Sequence, residues 1–149
     1  MAVAKYQGYF KPQNPKKYQG NPTNIIYRSS YELKLMLSLD TDDSVVQWGS
    51  EEVVIPYRSP IDNRIHNYFV DFIVTKINSK GVKETVLIEV KPKRETVPPE
   101  VKNKKTKKYL TEVARWGVND AKWKAAREYC ADRGWQFLIY TEKELNIRW

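Results

Sequence analysis

Apolar positions along this chain change their period several times, and the changes mark its elements. From Ser29 or Ser30 to about Leu39 they fall at helical spacing, with Leu33, Leu35, Met36, Leu37 and Leu39 on a wide apolar face behind a serine suited to an N-cap. A loop, Asp40 to Ser44, leads to two short strand-like runs, Val45 to Trp48 and Glu52 to Tyr57. After a polar turn at Pro60 to Arg64 come two longer apolar runs, Tyr68 to Ile77 and Thr85 to Val90. Asn78-Ser79-Lys80-Gly81 between them reads as a hairpin connection. Pro92, Pro98 and Pro99 then disfavour regular structure. Helical spacing resumes over Lys105 to Trp116, and again from Asn119 or Asp120 to about Asp132, where Gly134 stops it. Trp135 to Tyr140 reads as a buried strand, and Thr141-Glu142-Lys143-Glu144 as the capping box of a short last helix. The order predicts an α/β domain in which an antiparallel hairpin is joined by a strand reached through a helical crossover, hence a mixed sheet.

Two acids interrupt the apolar runs. Asp71 lies in Tyr-Phe-Val-Asp-Phe-Ile-Val and Glu89 in Val-Leu-Ile-Glu-Val-Lys, which ends at Lys91. A buried carboxylate without a partner is costly, so both need neutralising, and a divalent cation would serve. A two-residue loop, Ser79-Lys80, would set Asp71 opposite Ile88 and send Glu89 to the other face. A three-residue loop, Ser79 to Gly81, puts Gly81 in the left-handed position of a G1 bulge and sets Asp71 opposite Glu89. The second register is favoured. It brings Lys91 to the same face as both acids and turns Val90 away. Directly opposed Cβ atoms are about 5 Å apart, close enough for two carboxylates to share one Mg²⁺ with oxygens at about 2.1 Å. The plainer alternative is a cross-strand ion pair on a solvated face. Val70, Phe72 and Val74 on one face, and Phe69, Ile73 and Leu87 beside the acids on the other, argue against it.

A length of 149 residues suits one domain, expected at 25–149, preceded by an extended basic and aromatic arm at 1–24. In that arm Tyr6, Tyr9, Phe10 and Tyr18 alternate with Lys5, Lys11, Lys16 and Lys17, a composition that serves either to lie along nucleic acid or to pack on its own domain. The net charge of +8 favours a polyanionic partner. It concentrates at Lys93 and Arg94 and at Lys102, Lys104, Lys105, Lys107 and Lys108, which read as a phosphate-holding surface or as a solvated face. Cys130 is the single cysteine and His66 the single histidine, so a disulfide framework and a Cys/His zinc site are both excluded. No apolar run approaches the ~20 residues of a membrane span, and the N-terminus does not resemble a secretory signal, so a soluble intracellular protein is expected. Glu32, three residues after Ser29, fits a capping box, which competes with any role for it beside the two acids.

The residues together resemble the PD-(D/E)xK nuclease superfamily, in particular its TnsA-like branch. The resemblance rests on Arg28-Ser29-x-x-Glu32, Trp48, Glu51 to Tyr57, Tyr68-x-x-Asp71-Phe72, Leu87-Ile88-Glu89-Val90-Lys91-Pro92, Trp135-x-Phe137 and Thr141-Glu142. It covers the chain from about Ile25, and the proline that names the motif is Val70 here. With the arm included, the chain is further similar to the head-completion nucleases of T-even-type tailed phages. The resemblance implies a restriction-endonuclease-like core, a mixed sheet of four to five strands with a central antiparallel hairpin flanked by helices. It implies a Mg²⁺-dependent DNA endonuclease, with Mn²⁺ as a substitute. Its metal ligands would be Glu32, Asp71, Glu89 and the Val90 carbonyl, with Lys91 by the attacking water or scissile phosphate. Double-stranded DNA is the implied substrate, phage portal or head-tail connector proteins the implied partners, and host cytoplasm during assembly or the virion head the implied place. A protein that completes heads by binding DNA or the portal vertex without cutting is the alternative.

Overall fold

Alternate residues of the central strands feed two separate apolar layers, and a helix covers each. A computed structural model describes residues 7–145. In chain order its elements are β1 (Gly8–Tyr9), β2 (Ile26–Tyr27), α1 (Ser30–Thr41), β3 (Val45–Ser50), β4 (Val54–Arg58), β5 (Ile65–Phe69), β6 (Phe72–Ile77), β7 (Lys83–Val90), α2 (Lys107–Arg133) and β8 (Gln136–Tyr140). The main sheet has the order β3-β6-β7-β8, antiparallel except that β8 joins β7 in parallel after the α2 crossover. This is the mixed sheet with a central hairpin read from the sequence, in four-stranded form, and the restriction-endonuclease-like arrangement.

On one face Trp48, Phe72, Val74 and Ile88 pack against Tyr31, Leu35, Met36 and Leu39 of α1. On the other, Ile73 and Leu87 pack against Trp123, Ala126 and Cys130 of α2. Leu37, counted from the sequence in the apolar face of α1, is 47% exposed.

Three expectations change. The run Tyr68 to Ile77 is not one strand: it breaks at Val70-Asp71, because Val70 N donates to Val53 O and Glu51 N donates to Asp71 O, capturing the backbone before β6 begins. Upstream of the break β5 pairs with β4 as a separate ribbon, and Phe69 is 51% exposed rather than packed beside the acids. The two predicted helices after the basic segment are one, α2. Thr106 caps it by accepting from Tyr109 N, and Gly134 ends it at φ 71°. Gly117 inside it costs about 1 kcal/mol relative to alanine, less than the burial of Trp123, Ala126 and Cys130 on the same helix returns.

Residues 7–24 lie against the domain. Phe10 and Tyr18 are buried and meet Trp48 edge-on at 5.8 and 4.8 Å. Asp40, 1% exposed, ties the segment down: its carboxylate accepts from Gln13 N at 2.7 Å and Asn14 N at 3.1 Å, and its carbonyl accepts from Lys17 Nζ at 3.0 Å. At the other end Thr141 N donates to Glu144 Oε1 as a capping box requires. The remainder of the predicted last helix lies outside the described residues. No described helix is long and apolar enough to cross a membrane.

Candidate active site

The hairpin turn sets the site. Asn78 N donates to Val82 O, Gly81 N donates to Asn78 O, and Gly81 stands at φ 76°, the three-residue loop with glycine in the left-handed position. The ladder runs from Ile77 opposite Lys83 to Phe72 opposite Ile88, and one further step sets Asp71 against Glu89. Asp71 lies just beyond the last ladder pair, so its side chain takes a bond the ladder would have made: Oδ2 accepts from Val90 N at 2.8 Å. Lys91 N donates to Tyr140 O on β8, which turns the N–H and C=O of Val90 toward Asp71.

Glu89 is 4% exposed. Its Oε1 accepts from the Tyr68 hydroxyl at 2.7 Å, and its Oε2 lies 3.9 Å from Lys91 Nζ. Burial, then the Glu89 charge, pushes the Tyr68 phenol up, so Tyr68 stays a neutral donor. Asp71 is raised well above the usual carboxylate range, first by burial and next by Glu89; the Val90 N–H opposes this and Glu32 adds to it. Two like charges held side by side in a poorly hydrated place resist ionising together. Lys122 of α2 lies 5.5 Å above the Tyr68 ring and 5.8 Å above that of Tyr57.

Glu32 both caps and faces the cluster. Its N–H donates to Ser29 Oγ at 3.1 Å, but its Oε1 accepts from Arg28 N at 2.9 Å, one residue earlier than a capping box would have it. Burial raises its carboxyl; the Arg28 N–H opposes this, and Glu51 and Glu89 raise it further. Because α1 covers the Phe72 and Ile88 face, Glu32 comes to the acids from the first turn of a helix on the opposite face of the sheet. The Arg28 guanidinium is ion-paired with Glu51. Glu51 holds a left-handed backbone at φ 56°, and its N–H fixes the Asp71 carbonyl.

No group of three or more His, Cys, Asp or Glu among the described residues is arranged as a ready metal cage. The donors do suit a hard dication: Asp71, Glu89 and the Val90 carbonyl are all oxygen, and Mg²⁺ is usually held by one or two carboxylates with several retained waters. A cation there would also relieve the repulsion that raises Asp71.

The basic residues follow β7 along the chain. Lys93 and Arg94 lie in a 3-10 turn after Lys91, where Lys93 N donates to Glu142 Oε1. Lys102, Lys104 and Lys105 are exposed in the following loop, and Lys107 and Lys108 open α2. Lys105 turns back over Tyr109, with Nζ 5.0 Å from the ring. His66 bonds Asp62 on the exposed face of the β4-β5 ribbon. Cys130 is a buried free thiol. Sequence reasoning gave no role to Tyr68 or Lys122; the one signal was a phenol in an apolar run, which needs an acceptor once buried.

A family model described as TnsA-like endonuclease N terminal matches residues 42–142, a span that contains Asp71, Glu89 and Lys91 and omits Glu32. The chain is similar to the head completion nuclease of Enterobacteria phage T4, at 38% identity over 145 residues that cover 95% of this chain and 94% of that protein.

Proposed function

The chain belongs to the TnsA-like endonuclease family and is a DNA-cleaving hydrolase; we propose that its cutting depends on Mg²⁺ held by Asp71, Glu89 and the Val90 carbonyl, with Glu32 beside them, and serves the completion of phage heads. The observation that carries the metal reading is the pairing of two acids whose neighbours are a phenol, an amide and one lysine at 3.9 Å, too little positive charge for both carboxylates. When bound, Mg²⁺ supplies Lewis-acid chemistry, acidifying water and neutralising charge on the phosphate; Mn²⁺ serves as a substitute.

The protein's own groups do the rest. Tyr68 fixes one oxygen of Glu89, and the Val90 N–H fixes one oxygen of Asp71, so each acid keeps its other oxygen for the site. Lys91, 28% exposed in its side chain, carries a positive charge to where negative charge develops on the phosphate. The lysines from Lys102 to Lys108, with Lys93 and Arg94, hold the flanking DNA backbone. In the setting we propose, double-stranded DNA entering or leaving a phage head is the substrate and portal or head-tail connector proteins are the neighbours, in the host cytoplasm during assembly and in the head itself.

Supercoiled plasmid incubated with the protein should be cut with Mg²⁺ or Mn²⁺ and remain intact with EDTA. Lys91→Ala should lose most of the rate with the Mg²⁺ midpoint unchanged. Cutting in EDTA would refute the metal reading and leave the DNA-cleaving assignment standing.

A further inference from the structure

Outside the carboxylate cluster, the loop after β7 and the middle of α2 enclose a cleft of about 310 Å³. That is about the lower bound of small-molecule sites. Val97, Pro99 and Arg94 form its loop side, and Arg115, Trp116 and Asn119 its helix side. Asn119, 6% exposed, lies on the helix wall of the cleft. A side-chain amide in the wall of a cavity carries both a donor and an acceptor that an entering group can use. Trp116 is half-buried and braced edge-on against Trp123, with ring centroids 5.8 Å apart.

The charge of the cleft limits its occupant. Arg94 and Arg115 are balanced by Glu95 and Glu112 on the same walls. An anion therefore gains little here, whereas a neutral planar group gains an aromatic surface and a paired amide. The adjoining groove differs: it shares Arg115 and Glu112 with the cleft and adds Lys107 and Lys108, so it is net positive. Arg94 follows Lys91 by three residues, within about 10 Å of chain reach.

We infer that the cleft receives one unstacked nucleobase of the DNA, while the phosphates beside it lie on Lys107, Lys108 and Arg115. The base lies against Trp116 and meets the Asn119 amide with its hydrogen-bonding edge, the two contacts by which proteins hold an extruded base. Extrusion costs least where a base is already unpaired. The protein therefore favours DNA carrying a bulge, overhang or junction over uniform duplex. This inference rests on the DNA-cleaving reading above.

The test uses the full chain in EDTA, with two duplexes that differ only in one bulged 2-aminopurine. The bulged duplex should bind about tenfold more tightly than the blunt one, as one base-aromatic contact is worth. Its emission should be quenched further on binding. Trp116→Leu should bring the bulged duplex down to the wild-type affinity for blunt duplex and remove the added quenching. Equal wild-type affinities with unchanged emission would overturn the inference whatever the variant does, and so would quenching that survives Trp116→Leu. Blunt-duplex binding in that case leaves the DNA-cleaving reading intact; failure to bind either duplex overturns both.

Discussion

Tyr68→Phe removes one oxygen and tests whether the phenol is part of the site. Tyr68 is 3% exposed and its hydroxyl donates to Glu89 Oε1 at 2.7 Å, so phenylalanine fills the same space and only the hydrogen bond is lost. A bond to a charged acceptor is worth about 1.5–3 kcal/mol, and Glu89 keeps only Lys91 at 3.9 Å as a charged neighbour of opposite sign. For a chain of this size each kcal/mol moves the melting temperature by about 2–4 °C, so a fall of roughly 4–10 °C is expected in EDTA. Freed of its donor, the Glu89 carboxylate no longer holds one orientation, and groups that orient a ligand typically matter about 10- to 100-fold in metal affinity or rate. The assay is thermal unfolding in EDTA beside a Mg²⁺ titration of plasmid cutting. A variant melting within about a degree of wild type, with the same Mg²⁺ midpoint and maximal rate, would refute the role given to Tyr68.

Asp71→Asn should change how stability depends on pH. The unfolded chain releases the Asp71 proton near the ordinary value of about 3.9, whereas burial and Glu89 keep it on the folded protein to higher pH. Between those points the unfolded chain binds fewer protons, so the metal-free protein loses up to about 1.4 kcal/mol per pH unit as pH rises. Urea unfolding in EDTA should show a shallower decline for the variant and greater stability than wild type above that window; parallel curves would contradict this. Asp40→Ala leaves the Gln13 and Asn14 amides without their carboxylate and should cost about 2–4 kcal/mol by urea unfolding. A loss below about 0.5 kcal/mol would mean the arm is not anchored there. Replacing Lys104, Lys105, Lys107 and Lys108 with alanine should flatten the salt dependence of DNA binding by about 0.9 slope units per lost phosphate contact. An unchanged slope would return these lysines to a solvated face.

The turn was legible because its signals are local: a glycine at the end of Asn78-Ser79-Lys80-Gly81 and strict alternation on both sides leave one register that brings Asp71 and Glu89 together. The break at Val70-Asp71 was not, since the apolar pattern continues through it. What divides the run is pairing with Val53 and Glu51, about which the run itself says nothing. The division of α2 between Trp116 and Asn119 erred in the other direction: the local cost of Gly117 in the helix is outweighed by a core that the helix alone does not contain. Glu32 was legible only as a competition between capping and the site; in the structure its N–H donates to Ser29 Oγ as at a helix start, while its carboxylate accepts from Arg28 N rather than from the cap residue. The bond from Tyr68 to Glu89 spans 21 positions and leaves no periodic trace.

The most direct test of the central claim is plasmid cutting by Asp71→Ala and Glu89→Ala proteins, with duplex binding measured in EDTA on the same samples. Both variants should bind DNA as wild type does and fail to cut it at any Mg²⁺ concentration. Undiminished Mg²⁺-dependent cutting by either one would contradict the claim that these two acids form the centre.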